Sequence, residues 1–269
     1  KDVCLHQLFE AHVRQQPDAI AILYKDERIS YGELEKRSNQ LAHYLQALGV
    51  GPEVTVGISV ERGTEMVVGV LGVLKAGGAY VPVDPHYPKD RVAFMLKDTH
   101  VPILLTQQRL LDELPDMDAR KICLDTEWAS ISQHSATPTK SDITSEILAY
   151  VIFTSGSTGQ PKGICLRHTG VVNNLLDLNA SFGVGTDDKV MAISALSFDM
   201  NVYEVLGTLA AGGGIVIPEA AKQKDPAHWA ELVHKHQVTV WNSAPPLLEM
   251  LVDYTEAHPE LHPKSLKVT

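Results

Sequence analysis

The sequence has 269 residues, of which 44% are hydrophobic and 21% are charged, a composition typical of a folded globular protein rather than a disordered chain. Its 23 Lys and Arg residues against 33 Asp and Glu residues give a formal net charge of −10, which argues against a nucleic-acid-binding protein because such proteins normally present a basic face. No apolar run approaches the ~20 residues of a membrane span, and the 3 cysteines lack CxxC spacing, which argues against a cysteine-based zinc site and favours a reducing, cytoplasmic compartment.

The first half of the chain alternates predicted helices with predicted strands. Ser30 and Glu33 form a capping box that opens a helix, and Gly49 ends it. Residues 54–60 alternate apolar and other side chains, which predicts a half-buried strand. The other predicted elements of this half are helices over 5–13, 64–75 and 90–98 and strands over 79–83, 102–106 and 120–124.

The alternation resumes after residues 125–146, a polar segment rich in Ser and Thr that predicts a surface connection. The predicted strands of the second half are 147–153, 189–193, 214–217 and 238–241, and the predicted helices are 168–181, 202–210, 226–236 and 246–254. Strands that alternate with helices indicate βαβ units, so we expect an α/β fold with largely parallel sheets. We divide the chain into a first α/β portion (1–124), the connection (125–146) and a second portion (147–269).

A loop rich in small polar residues follows the apolar strand that ends near residue 153, in the segment from Ala149 to Gly163. Its small residues let consecutive backbone N–H groups converge on one point, which suits phosphate oxygens, and Lys162 adds a positive charge. Pro161 stands where a Walker A loop requires glycine, so the loop is not of that type. A flexible turn is the ordinary alternative. The position after an apolar strand favours ligand binding, because α/β folds bind ligands at the carboxyl ends of their strands.

Four segments resemble, in order, motifs of the adenylate-forming enzymes, the superfamily that includes acyl-CoA synthetases, luciferase and the adenylation domains of nonribosomal peptide synthetases. They are Ile29–Leu34, Leu74–Asp84, Tyr150–Gly163 and Leu196–Glu204. The form of the Leu74–Asp84 segment is similar to that of peptide synthetases. The resemblance implies the adenylate-forming fold and an enzyme that activates an amino acid with Mg-ATP, forms an aminoacyl-adenylate and passes the acyl group to the phosphopantetheine thiol of a carrier protein.

The resemblance also implies roles for residues of the loop, which in the family holds the β- and γ-phosphates of ATP. By match to the motif, the phosphate-binding residues are Thr154, Ser155, Gly156, Ser157, Thr158, Gly159 and Lys162, with Thr158 and Lys162 also catalytic. Positioning and charge neutralisation dominate such phosphoryl chemistry. His168, which follows the loop, either contacts the substrate or packs at the start of the next helix.

The Leu196–Glu204 segment resembles the family's substrate-pocket motif. Asp199 matches the residue that pairs with the substrate's α-ammonium group, and we expect it to be buried beside Phe198, the pocket aromatic, where a carboxylate requires a cation. Helix capping is the alternative role of Asp199. Met200, Tyr203 and Asn242 match positions that contact the substrate side chain, although Met200 and Tyr203 could also be core residues. The order Asp, Met, Tyr, Asn is close to that of cysteine-selecting pockets, and the flanking segments are similar to adenylation domains of thiazoline-forming systems.

The family's motifs that stack adenine, bind the ribose and supply a magnesium-binding Glu have no match in this sequence, nor has its C-terminal lid subdomain. We therefore expect an N-terminal part of an adenylation domain, inactive on its own, whose parent works with neighbouring synthetase domains and with neither nucleic acid nor membrane. We find no metal ligands in this part. The alternatives are an acyl- or aryl-CoA ligase, which has no need of Asp199, and a non-catalytic nucleotide-binding segment.

Overall fold

The computed structural model describes residues 2–139, 143–155 and 160–267, which form two β-sheets with helices packed on them. The strands are β1 (Ile20–Tyr24), β2 (Glu27–Ser30), β3 (Thr55–Ile58), β4 (Ala79–Pro82), β5 (Ile103–Thr106), β6 (Arg120–Cys123), β7 (Leu148–Thr154), β8 (Lys162–Arg167), β9 (Lys189–Met191), β10 (Gly214–Ile217) and β11 (Val240–Trp241). The α-helices are α1 (Leu5–Gln15), α2 (Tyr31–Ala47), α3 (Thr64–Ala76), α4 (Lys89–Asp98), α5 (Trp128–Ile131), α6 (His168–Phe182), α7 (Asp199–Val202), α8 (Thr208–Ala211), α9 (Pro226–His236) and α10 (Pro245–Ala257). A π-helical turn, Tyr203–Gly207, joins α7 to α8.

The two sheets are largely parallel, which confirms the predicted α/β class. The first has the strand order β11-β9-β10-β1-β2 and the second has the order β6-β5-β3-β4-β7-β8. Only the hairpin pairs β1–β2 and β7–β8 are antiparallel among the described strands. Each sheet contains strands that precede residues 125–146 in the sequence and strands that follow them. Both portions of the chain therefore contribute to both sheets.

Alternating side chains of the strands divide the hydrophobic core into layers. In β1, Ile22 packs into the central core with α1, α2 and α3, whereas Leu23 packs into a second core with Trp229 of α9. In β7, Ile152 joins the central core and Phe153 joins a third core under α4. Successive side chains of a strand point to opposite faces, so helices cover both faces of both sheets and the central helices lie between the sheets.

The central helices form as their sequences predict. The Ser30 side chain accepts a hydrogen bond from the Glu33 backbone N–H at 3.2 Å and caps α2, which confirms that part of the predicted capping box. Helix α3 is apolar on nearly all sides and is buried between the sheets, as such helices generally are. A Cβ added at Gly72 of α3 would lie 2.6 Å from Leu41 Cδ2 of α2, so glycine is what lets these two helices approach closely.

Two predictions about the secondary structure were wrong in part, and strands β1, β2 and β8 were not predicted. Residues 54–60 are buried on both faces from Val56 onwards, because parallel strands have helices on both sides. The segment 125–146 is not purely a surface connection, since Ile131 of α5 is fully buried and the Ser132 carbonyl accepts a hydrogen bond from the Gln40 side chain at 2.7 Å. Strand β8 was not predicted, because its exposed residues lack the apolar alternation of a half-buried strand.

None of the helices in the described part of the chain combines the length and the apolar character that a bilayer crossing requires.

Candidate functional site

A cavity of about 620 Å³ lies between α6, the start of α7 and the segment that follows β11. Its lining includes four of the five residues predicted for the substrate pocket, namely Asp199, Met200, Tyr203 and Asn242. The Asn242 side-chain N–H donates to the Met200 carbonyl at 3.4 Å, so the two chain segments meet at this wall. The volume falls within the ~300–1,000 Å³ range that is usual for small-molecule sites.

Asp199 is exposed rather than buried as the sequence predicted. It is the first residue of α7, and its carboxylate accepts a hydrogen bond from the Met200 backbone N–H at 2.9 Å. The residue therefore lies within the first turn of the helix, and Phe198 holds the N-cap position. None of the salt bridges between described residues involves Asp199, so its negative charge is available at the cavity.

The charge of Asp199 reaches across the cavity. Burial, together with the negative charge of Asp199, raises the pKa of the Tyr150 hydroxyl to about 12. Tyr150 lies on β7 and lines the same cavity. The cavity thus combines one carboxylate with a neutral phenol, an arrangement suited to a cationic group.

Helix α6 supplies a wall of the cavity that sequence reasoning missed. Gly170, Asn174 and Leu178 are four residues apart, share one helix face and line the cavity. A Cβ added at Gly170 would meet no atom within 4 Å. No local motif marks these positions, because their role depends on how α6 packs against the strands.

Phe198 was predicted to border the substrate pocket, but it lines a second cavity of about 500 Å³ instead. Its side chain is 56% exposed, because it precedes α7 at the surface. The second cavity opens at the carboxyl ends of β3, β4 and β9, where parallel sheets commonly bind ligands. Met200 lines both cavities, so its side chain is part of the partition between them.

The predicted phosphate loop connects the two strands of a hairpin. Thr154 ends β7, Lys162 begins β8, and the two are paired residues of the antiparallel ladder. Both are exposed, as is Ser155. The other predicted phosphate-binding residues, Gly156, Ser157, Thr158 and Gly159, lie outside the described residues. The loop follows a buried strand as predicted, but it leads into strand β8 before helix α6 begins.

His168 lies in the core and not in either cavity. It is fully buried at the start of α6, and its Nδ1 accepts a hydrogen bond from the Leu5 backbone N–H at 3.1 Å. Packing is therefore its role in this structure. Among the described residues, there is no cluster of three or more His, Cys, Asp or Glu side chains that could hold a metal ion.

Comparison with protein families gives a match to the AMP-binding enzyme model over residues 9–269. Tyrocidine synthase 3 of Brevibacillus parabrevis is 41% identical over 255 residues, which cover 94% of this chain but 4% of that protein. Pyochelin synthetase PchF of Pseudomonas aeruginosa is 39% identical over 246 residues, which cover 91% of this chain and 13% of that protein. The chain thus spans a small part of these relatives.

Solved structures give the same result for the fold. The nonribosomal peptide synthetase FmoA3 (S1046A) superposes with a TM-score of 0.90 at 38% sequence identity, over 96% of this chain and 27% of that one. A form of FmoA3 with α-methyl-L-serine-AMP bound has a TM-score of 0.89 at 38% identity, over 95% of this chain and 28% of that one.

Proposed function

Because this chain belongs to the AMP-binding enzyme family of adenylate-forming ligases, we propose that it activates an amino acid with ATP within a cytoplasmic nonribosomal peptide synthetase. The observation that carries the proposal is the single cavity on which Asp199, Met200, Tyr203 and Asn242 converge. In the reaction, the amino acid carboxylate attacks the α-phosphorus of ATP, and pyrophosphate leaves as the aminoacyl-adenylate forms. A carrier-protein thiol then attacks the acyl carbon, and AMP leaves.

Asp199 binds the α-ammonium group of the substrate in this proposal. Its carboxylate has no cationic partner among the described residues and borders a cavity with otherwise neutral walls. An amino acid supplies the missing cation, whereas an aryl or fatty acid does not. Binding strengthens this ion pair because the ligand displaces water from the cavity and lowers the local dielectric constant.

The loop after β7 holds the phosphates of ATP. Thr154, Ser155 and Lys162 flank it, and Gly156, Ser157, Thr158 and Gly159 complete it. The hydroxyl groups and backbone N–H groups donate to phosphate oxygens, and Lys162 neutralises charge that develops on the leaving pyrophosphate. A form of FmoA3 with AMPPNP bound supports ATP as the nucleotide. Magnesium enters with ATP, and its carboxylate ligand is expected outside the described residues.

We propose cysteine as the amino acid. Met200, with its flexible and polarisable thioether, suits a small sulfur-containing side chain, and the Asn242 amide offers a polar partner to a thiol. Apolar contacts discriminate by only ~1–3 kcal/mol per methylene, so selection depends on Asn242 more than on the size of the cavity.

The second cavity offers a route for the carrier arm. It lies beside the substrate cavity, with Met200 at the partition and the exposed Phe198 on its wall. A phosphopantetheine arm that enters this cavity would bring its thiol next to the substrate cavity at Met200. This arrangement supports transfer to a carrier protein after adenylation.

Amino-acid-dependent ATP–pyrophosphate exchange tests the proposal in the intact synthetase, with twenty amino acids and a set of aryl and fatty acids as substrates. We expect the strongest exchange with cysteine. Lys162→Ala should lower exchange with every substrate, and Lys97→Ala, which removes an exposed lysine of α4, is its matched control. Asp199→Asn should raise the KM for the amino acid, and Asp253→Asn on the exposed face of α10 is its control.

The other outcomes separate the alternatives. Exchange dominated by another amino acid would contradict cysteine and leave amino acid activation in place. Exchange only with acids that lack an amine would indicate an acyl- or aryl-CoA ligase. Unchanged activity in Lys162→Ala would indicate a nucleotide-binding segment without a catalytic role. The isolated 269 residues should show negligible exchange.

A further inference from the structure

Glu204 is a fully buried carboxylate that borders neither cavity described above. Its two oxygens accept hydrogen bonds from the Ser194 backbone N–H at 3.1 and 3.0 Å, and one of them also accepts from the Ser194 hydroxyl at 2.6 Å. The carboxylate therefore holds the start of the segment that leads to Asp199.

Asn201 holds the same segment from a second side. It is buried, and its side-chain N–H donates to the Ser194 carbonyl at 3.0 Å. Ser194 is thus bound through its backbone N–H, its hydroxyl and its carbonyl by two side chains that follow Asp199 in the chain. These hydrogen bonds tie the start of segment 194–199 to the helical residues that follow it, so the segment is anchored at both ends. The positions of Asp199 and Met200 depend on both anchors.

The surroundings of Glu204 include a cation from the other sheet. The Arg62 side chain donates to the Ala192 carbonyl, and its positive charge stabilises the ionised form of Glu204. Burial has the larger effect and raises the pKa of Glu204 to about 8, against the hydrogen bonds from Ser194 and the charge of Arg62. At pH 7 the Glu204 side chain is therefore mostly a neutral carboxylic acid, and it holds Ser194 through hydrogen bonds rather than through charge.

Glu204 also lies in the π-helical turn Tyr203–Gly207. Such turns are rare and often occur at functional sites. Here the turn directly follows α7, which carries Asp199 and Met200, and it includes Tyr203, a third residue of the substrate cavity. Within residues 199–204, Asp199, Met200 and Tyr203 therefore line the cavity, whereas Glu204 binds Ser194.

We propose that Glu204 is a positioning residue, which fixes the 194–199 loop so that the Asp199 carboxylate meets the α-ammonium group of the substrate. The inference rests on the role proposed for Asp199. Glu204 touches neither the substrate nor ATP, so its loss should impair binding of the amino acid and leave binding of ATP intact.

The test compares Glu204→Gln, which keeps the shape of the side chain, with Glu35→Gln in the intact synthetase. Glu35 is a largely buried partner of Lys75 far along the chain from the pocket segment, so its variant controls for the same Glu→Gln change at a buried position elsewhere in the fold. The first measurement is the KM for ATP and the KM for L-cysteine, or for whichever amino acid gives the strongest ATP–pyrophosphate exchange. The second measurement is the hydrogen-exchange rate of the backbone amides of residues 194–200.

We expect Glu204→Gln to raise the KM for the amino acid by about fivefold, as for the loss of a hydrogen bond between neutral groups, and to change the KM for ATP by less than about twofold. Amides 194–200 should exchange faster in this variant and at the wild-type rate in Glu35→Gln. Equal increases in both KM values of Glu204→Gln, or unchanged hydrogen exchange of its amides 194–200, would overturn the proposal.

Two further arms keep the result decisive. If Glu204→Gln does not fold, Ser194→Ala removes the 2.6 Å hydrogen bond alone and should give the same pattern at smaller amplitude. If the wild-type protein shows no amino-acid-dependent ATP–pyrophosphate exchange, the proposed function fails. Amide exchange then still decides whether Glu204 fixes the loop.

Discussion

Acidification should destabilise this chain through His168. The ring is fully buried, and its Nδ1 accepts the Leu5 N–H, so the proton of the neutral ring is on Nε2, which has no hydrogen-bond partner among the described residues. Burial lowers the pKa of His168 from 6.5 to about 4. His6, whose ring centroid lies 6.1 Å away, is also buried, and burial together with the charges of Lys75 and His168 lowers its pKa well below 6.5.

The sign and the magnitude follow from linkage. The folded pKa lies below the unfolded one, so as pH falls the unfolded chain takes up the proton first, and stability is lost between pH 6.5 and about 4. The difference of about 2.5 between the two pKa values corresponds to about 3 kcal/mol in total, of which about 2 kcal/mol is lost by pH 5. His6 adds to the loss in the same direction.

Urea unfolding of the wild type and of His168→Asn at pH 7, 6 and 5 measures the contribution of His168. The asparagine Oδ1 can accept the Leu5 N–H in place of Nδ1 and does not titrate. We expect the free energy of unfolding of the wild type to fall by about 2 kcal/mol more than that of the variant between pH 7 and pH 5. A parallel decline of the two proteins would refute the reasoning.

Two further predictions concern packing and buried charge. Lys75→Met should lower the free energy of unfolding, measured in urea, by about 3 kcal/mol. The reason is that Glu10 and Glu35, which pair with this fully buried lysine, lose their cation. An unchanged free energy of unfolding would show that these two ion pairs do not stabilise the fold. Gly72→Ala should destabilise by about 1 kcal/mol, since overpacking against Leu41 outweighs the gain in helix propensity. Its control Gly170→Ala, with open space at the new methyl group, should be neutral or stabilising, and equal effects of the two would contradict the packing argument.

The sequence was sufficient for the parts of the fold that local chemistry determines. The cap at Ser30 and the buried apolar strand over residues 148–153 follow from side chains close in sequence, and both are present. Strand β8 could not be predicted, because it is stabilised by pairing with β7 and not by an apolar face of its own. The hairpin of β1 and β2 was missed although Ile20–Tyr24 is a continuous apolar run, which short periodicity does not assign to strand or helix.

The candidate site shows the same division. The motif from Leu196 to Glu204 predicted three residues that do line one cavity, Asp199, Met200 and Tyr203. It could not predict that Asp199 is exposed, because the exposure of a side chain depends on the tertiary structure, here on where the cavity opens to solvent. Nor could it predict the wall from α6, since the distance in sequence between Asn174 and Asn242 gives no sign that they share a cavity.

Some ionisable side chains of this chain are buried and others are exposed, and this difference decides which of them can bind a ligand. Lys75 and Glu204 are fully buried, and each already has a partner of opposite charge or a set of hydrogen-bond donors. A ligand would have to displace those partners, at a cost of several kcal/mol for a buried charge such as that of Lys75. Asp199 and Lys162 are exposed, and none of the described salt bridges involves either of them. In the proposed function, these two side chains can therefore bind a substrate without giving up an ion pair within the described part of the chain. The exposure of Asp199, which contradicts the sequence-based expectation, is therefore consistent with the role in binding the α-ammonium group that we propose for it.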